Sequence, residues 1–89
     1  MVEREEEIVN RLGLHARAAA KLVNTAGRFQ SRVTVTKDGE EVDAKSILGV
    51  LLLAAGQGTR LTIRCEGEDE GECIKAVSGL IANRFEEES

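Results

Sequence analysis

The sequence has no tryptophan, tyrosine or proline, and its only aromatic residues are Phe29 and Phe85. Its core must therefore be built from Leu, Ile, Val and Ala, and it has no aromatic platforms on which nucleic-acid bases could stack. Histidine occurs once, at position 15. That excludes chemistry needing two imidazoles, histidine-rich metal sites included, and no cofactor is expected. Cysteine occurs twice, and the seven residues between Cys65 and Cys73 do not match zinc-ligand spacing. Both read as small buried thiols in a reducing cytoplasm. No apolar run approaches the ~20 residues of a membrane span. The longest, Ile47–Ala55, is interrupted by Gly49. Residues 1–9 lack the basic region and apolar core of a secretory leader. Positive charge is also short, at 12 Lys and Arg against 16 Asp and Glu, a net charge of -4. Without a basic stripe to neutralise phosphates, nucleic acid is not an expected partner.

What remains is 89 residues, 42% of them hydrophobic, which suffices for one domain over residues 1–89. Glu3–Val9 is a weak strand candidate, because three glutamates adjoin, with Ile8-Val9 its better end. Ala16–Ala26 places Ala19, Leu22, Val23 and Ala26 at helical spacing, and Gly27 stops the helix. Arg32–Lys37 alternates, Asp38-Gly39 is a hairpin signal, and Glu40–Asp43 returns with Val42 facing inward. Ser46 stands in N-cap position before a helix over 47–54, with Val50, Leu53 and Ala54 on its buried side. Arg60–Glu66 alternates again. A last helix opens on Glu68-Asp69-Glu70 and buries Ile74, Val77, Leu80, Ile81 and Phe85; the tail Glu86–Glu88 is expected to be solvated and frayed. The order β-α-β-β-α-β-α predicts an α+β fold with an antiparallel sheet covered on one face. A ferredoxin-like βαββαβ arrangement fits less well, since the second helix is short and a third follows the last strand.

His15 sits where a loop becomes a helix, in Gly13-Leu14-His15-Ala16-Arg17. The backbone N–H groups of Ala16, Arg17 and Ala18 lack intrahelical partners there, which makes an anion site. The helix dipole, worth at most ~2 kcal/mol, and the Arg17 guanidinium both disfavour an imidazolium and favour a phosphoryl dianion. A neutral ring at such a site is a nucleophile whose phosphorylated product is stabilised by the same field. Arg17, with Lys21 and Lys45, should make this face positive. A solvated cap is the bland alternative, and a metal or a Ser-His-Asp hydrolase site lacks the residues it would need.

Asn10-Arg11-Leu12-Gly13-Leu14-His15-Ala16-Arg17 resembles the active-site signature of the HPr family, the histidine phosphocarriers of the bacterial phosphoenolpyruvate:sugar phosphotransferase system and its nitrogen-related branch. Lys45-Ser46-Ile47-Leu48-Gly49-Val50-Leu51 resembles the second signature of that family, around a regulatory serine. The resemblance covers essentially the whole chain. It implies an open-faced β-sandwich, four antiparallel strands with three helices on one face. It implies that His15 accepts a phosphoryl group through Nδ1 from enzyme I and passes it to a IIA component, with Arg17 and the N–H groups of Ala16 and Arg17 stabilising it. Such a protein is a substrate of enzymes rather than an enzyme. Ser46 is the position a kinase/phosphorylase would modify, and transcription regulators are further partners. One departure is Ala18, where the family usually has proline. Leu14 and Lys21 beside His15, with Ile47, Leu48 and Leu51 on the second helix, are expected to form the docking surface of a monomer. A regulatory binding module of the same fold, acting through contacts and Ser46, is the alternative.

Overall fold

The computed structural model describes residues 1–88. Its elements are β1 (Val2–Glu7), α1 (Ala16–Gly27), β2 (Arg32–Lys37), β3 (Glu40–Asp43), α2 (Ile47–Leu52), β4 (Arg60–Glu66) and α3 (Glu70–Ala82), followed by a short turn, Arg84–Glu86. The strands form one antiparallel sheet in the order β1-β4-β2-β3, the expected α+β open sheet with three helices.

Register follows from the alternation in the sequence. Val33 pairs with Cys65, and Val35 pairs with both Ile63 and Val42, so apolar side chains line up in rows across the strands. Val33, Val35, Leu61, Ile63 and Cys65 are fully buried against the helices, whereas Arg32, Arg64 and Glu66 on the other face are exposed. Alpha3 contributes Ile74, Val77 and Ile81 to the same core, and α1 contributes Ala18, Ala19, Leu22 and Ala26. Those alanines have only a methyl group to place, which lets α1 sit close to its neighbours α2 and α3.

Beta1 differs from expectation at both ends. It starts at Val2 and stops at Glu7, before the Ile8-Val9 pair that looked most strand-like. Its glutamates are tolerated because their partners are basic. Glu3 meets Arg64 at 2.8 Å and Glu5 meets Arg60 at 2.8 Å across the β1–β4 pairing. Ile8 follows the strand as a fully buried core residue.

Alpha2 is shorter than expected. Ser46 caps it as predicted, its Oγ accepting the Gly49 N–H at 3.2 Å. The helix ends at Leu52 because Ala54 turns into the left-handed region, at φ 49°, and is exposed; Ala55 takes the buried place expected of it. Lys37 Nζ donates to the Leu53 carbonyl at 2.9 Å and satisfies that helix end.

The largest departure is at the other end of the chain. Alpha3 stops at Ala82, and Arg84, Phe85 and Glu86 all adopt positive φ, at 57°, 53° and 65°. Phe85 is fully buried as expected, but it reaches the core from this turn and not from the stripe of α3. Cys65 and Cys73 are buried free thiols with their sulfurs 3.4 Å apart. Burial, reinforced by Cys73, pushes the Cys65 thiol up to about 12, which keeps it protonated and unreactive. No helix among the described residues is long and apolar enough to cross a membrane.

Candidate functional site

The loop between β1 and α1 is built around Asn10, which is fully buried. Its side-chain nitrogen donates to the Gly13 carbonyl at 2.8 Å, and the Gly13 N–H donates back to the Asn10 carbonyl at 3.2 Å. Gly13 closes this turn at φ 65°, and a Cβ there would lie 2.5 Å from the Ala55 carbonyl oxygen. The Leu14 N–H donates to that same oxygen at 2.8 Å. This ties the loop to the segment that follows α2. Leu14 is only 5% exposed, so its side chain belongs to the core and not to the docking surface expected of it.

The next residue is His15, the N-cap of α1, in extended conformation at φ -70° and ψ 176°. Its carbonyl accepts the Ala19 N–H at 2.8 Å, and its ring does not cap the helix. The N–H groups of Ala16 and Arg17 therefore remain in the first turn without intrahelical partners, as the sequence implied. Arg17 is exposed, and Ala18, in the place of the usual proline, is fully buried in the core.

The tail departs from the solvated, frayed segment expected. Glu87 folds back onto the site with its side chain only 12% exposed. One carboxylate oxygen accepts Asn10 Nδ2 at 2.9 Å, and the other contacts His15 Nε2. Burial pushes the Glu87 carboxyl up, but hydrogen bonds from His15 and Asn10 and the charges of His15 and Lys21 outweigh it, leaving the group below its usual range. An ionised carboxylate only accepts hydrogen bonds, so Nε2 is the ring nitrogen that donates to it, leaving Nδ1 as the nitrogen that Glu87 does not engage.

Lys21 is half-buried and committed to the tail, with Nζ donating to the Phe85 carbonyl at 2.7 Å and lying 3.7 Å from Glu86. His15, Arg17 and Lys21 thus share one shallow depression with Leu12 and Glu86–Glu88. The site is of mixed sign, not positive as expected. Lys45 takes no part in it, because it donates to the Phe29 carbonyl at 2.8 Å, beyond the far end of α1. Two functional candidates were missed, Asn10 and Glu87. Asn10 stands inside the first signature, but nothing in the sequence separates Glu87 from the glutamates on either side of it.

Alpha2 packs on α1 and presents an apolar face. Ile47 is 40% exposed, Leu48 71% and Leu51 37%, as expected, and Leu52 joins them at 73%. Val50 and Leu53 are buried on the opposite side. Ser46, half-buried, lies at the head of this patch.

Comparison with known proteins agrees with this architecture. Residues 2–83 match PTS-HPr, the PTS HPr component phosphorylation site. The chain is 54% identical over 89 residues to the phosphocarrier protein HPr of Xylella fastidiosa strain Temecula1, covering 100% of both. The crystal structure of HPr-C-His from Thermoanaerobacter tengcongensis superposes with a TM-score of 0.96 at 47% identity, covering 100% of both chains. The HPr dimer from the same organism superposes with a TM-score of 0.79 at 47% identity, over 98% of this chain and 100% of that one. A buried asparagine-glycine turn, a lone histidine at a helix N-terminus, a capped Ser46 helix and a match running over nearly the whole length lead to one assignment: the chain belongs to the HPr family of the phosphotransferase system.

Proposed function

We propose that this protein is a phosphoryl carrier that takes a phosphoryl group from phosphorylated enzyme I onto His15 Nδ1 and hands it to a IIA component. The observation that carries this reading is the placement of the ring. His15 stands at the N-cap of α1 with Nε2 against Glu87, which leaves Nδ1 for phosphorus in the same first turn as the Ala16 and Arg17 N–H groups and the exposed Arg17 side chain. In the forward step the Nδ1–P bond forms as the bond from phosphorus to the donor breaks. The helix N-terminus and the guanidinium then face a dianion, which both favour. The dipole contributes at most ~2 kcal/mol, so the group is held without being trapped. The ring lies in an open, shallow depression, as suits a carrier whose reacting partners are proteins.

Partners dock on the apolar face of Ile47, Leu48 and Leu51, which Leu52 extends. The link from Leu14 to Ala55 couples this face to the His15 loop. A phosphate added to Ser46 would leave the fold intact, since the serine already stands at the head of a helix. It would place roughly -1.5 to -2 charges beside the apolar face and weaken docking. The working form is a cytoplasmic monomer. The free edge of β1 carries Glu3, Glu5, Glu6 and Glu7, and like charges on an edge strand oppose pairing with a second copy.

The test is incubation with enzyme I and radiolabelled phosphoenolpyruvate, followed by mapping of the label. The expected product is acid-labile phosphate on His15, and its absence under conditions that label a known carrier would refute the proposal. Replacing Leu48 with aspartate is expected to raise KM for phosphorylated enzyme I by about tenfold or more, with kcat and thermal stability little changed. An unchanged KM would remove this face from the docking surface.

A further inference from the structure

We propose that Glu87 is the positioning residue that directs phosphoryl transfer to Nδ1 of His15 and away from Nε2. The proposal rests on the carrier reading above and deepens it. The two oxygens of the carboxylate have separate tasks. Oε1 is held by Asn10, whose buried amide is itself fixed on Gly13, and Oε2 takes the ring N–H of His15. The ring is thus located through a chain of hydrogen bonds running from the Gly13 turn through Asn10 and Glu87. The tail that supplies Glu87 is anchored independently, by burial of Phe85 and by Lys21 on the Phe85 carbonyl.

Three chemical consequences follow. Nε2 is protonated and covered, so it has no lone pair to offer phosphorus. In the neutral ring Nδ1 is then the only nucleophilic atom. When Nδ1 attacks, its lone pair becomes the Nδ1–P bond and the neutral ring becomes a phosphorylated imidazolium. The positive charge then faces the Glu87 carboxylate already in contact with it, which stabilises the product without moving any group. On transfer to the acceptor the Nδ1–P bond breaks, its electron pair returns to Nδ1, and the Nε2 proton never leaves. A carboxylate orienting an imidazole and compensating its charge plays the same part in hydrolytic triads.

The test uses phosphoramidate, a small donor that removes protein docking from the result. Nδ1 attacks phosphorus, the P–N bond of phosphoramidate breaks, and ammonia leaves with the bonding pair. Phosphorus NMR then distinguishes the Nδ1 from the Nε2 phosphohistidine. The unaltered protein is expected to give the Nδ1 isomer alone. Glu87→Ala is expected to give a mixture containing the Nε2 isomer and to accept phosphate about tenfold more slowly, the scale of one lost charge-assisted hydrogen bond. Glu87→Gln keeps one acceptor oxygen for the ring N–H but sets its NH2 against the Asn10 amide and lacks the charge, so it should still favour the Nδ1 isomer and lose rate. A tail with only a structural role would alter thermal stability in Glu87→Ala and leave the isomer ratio untouched, and that result would overturn the proposal. So would Nδ1 phosphorylation of Glu87→Ala at the unaltered rate. Absence of phosphohistidine in all three proteins would overturn the carrier reading itself.

Discussion

Replacing Gly13 with alanine is expected to destabilise the protein by about 2–5 kcal/mol and to slow phosphorylation of His15 along with it. Two effects add at this position. Gly13 has φ 65°, where an L side chain costs ~1–2 kcal/mol. Its Cβ would also meet backbone of the segment that follows α2, the Ala55 oxygen at 2.5 Å and the Gly56 Cα at 2.8 Å. Backbone cannot swing aside as a long side chain can, so the loop must move. The oxygen it would strike is the acceptor of the Leu14 N–H, one residue before His15. Displacing it shifts the N-cap and the Asn10 turn together. Gly39 provides the control, since it has φ 83° but open space where its Cβ would go. Gly39→Ala should therefore show the conformational cost alone. Chemical denaturation of the two variants separates the terms, and equal losses would mean that the close approach to Ala55 does not hold the loop.

The parts of the fold that were legible in the sequence are those written by local pattern. Beta2, β3 and β4 have the expected bounds, because alternation shows which face is buried and Asp38-Gly39 sets the hairpin between the first two. Ser46 was readable as a cap because capping is a contact over three residues. The position of His15 and Arg17 at the head of α1 was readable because a glycine turn and a helix start are both local. Where the structure departs, the deciding partner is distant in sequence. Beta1 meets Arg60 and Arg64 on β4, more than fifty residues away, which offset the charge of Glu5 and Glu3. Leu14 reads as a surface residue beside the site, but the loop is tied to distant Ala55 and the side chain lies in the core. Glu87 lies far along the chain from His15, and three consecutive glutamates give no sign of which one turns inward. The net charge of -4 misleads for a related reason. It reads as general solubility, yet one of those charges is a working part of the site.

Phe85 decides whether that charge is present at all. Phe85→Ala is expected to cost about 3–5 kcal/mol, the range for deleting a buried phenyl ring. Phe85→Leu, which roughly conserves volume, should cost less than about 1.5 kcal/mol. The side chain is fully buried and is the largest such residue in the core. Its backbone is unusual, because Arg84, Phe85 and Glu86 all have positive φ. Each such residue is strained by ~1–2 kcal/mol, so the turn persists only while its surroundings demand it. Burial of the ring is the strongest demand, and Lys21 on the Phe85 carbonyl is the second. Without the ring the left-handed turn has little to offset its strain, and the chain should relax outward from Asn83. Glu87 would then leave His15 and Asn10. The variant should consequently show two changes that Glu87→Ala does not combine: a large fall in the denaturation midpoint, and appearance of the Nε2 phosphohistidine under phosphoramidate. A Phe85→Ala protein that lost stability but still gave only the Nδ1 isomer would show that Lys21 and Asn10 seat the tail without the ring. In that case the core and the site would be independent at this end of the chain. The shared turn argues otherwise, since Phe85 and Glu87 lie two residues apart and neither can be placed without fixing the path of the other.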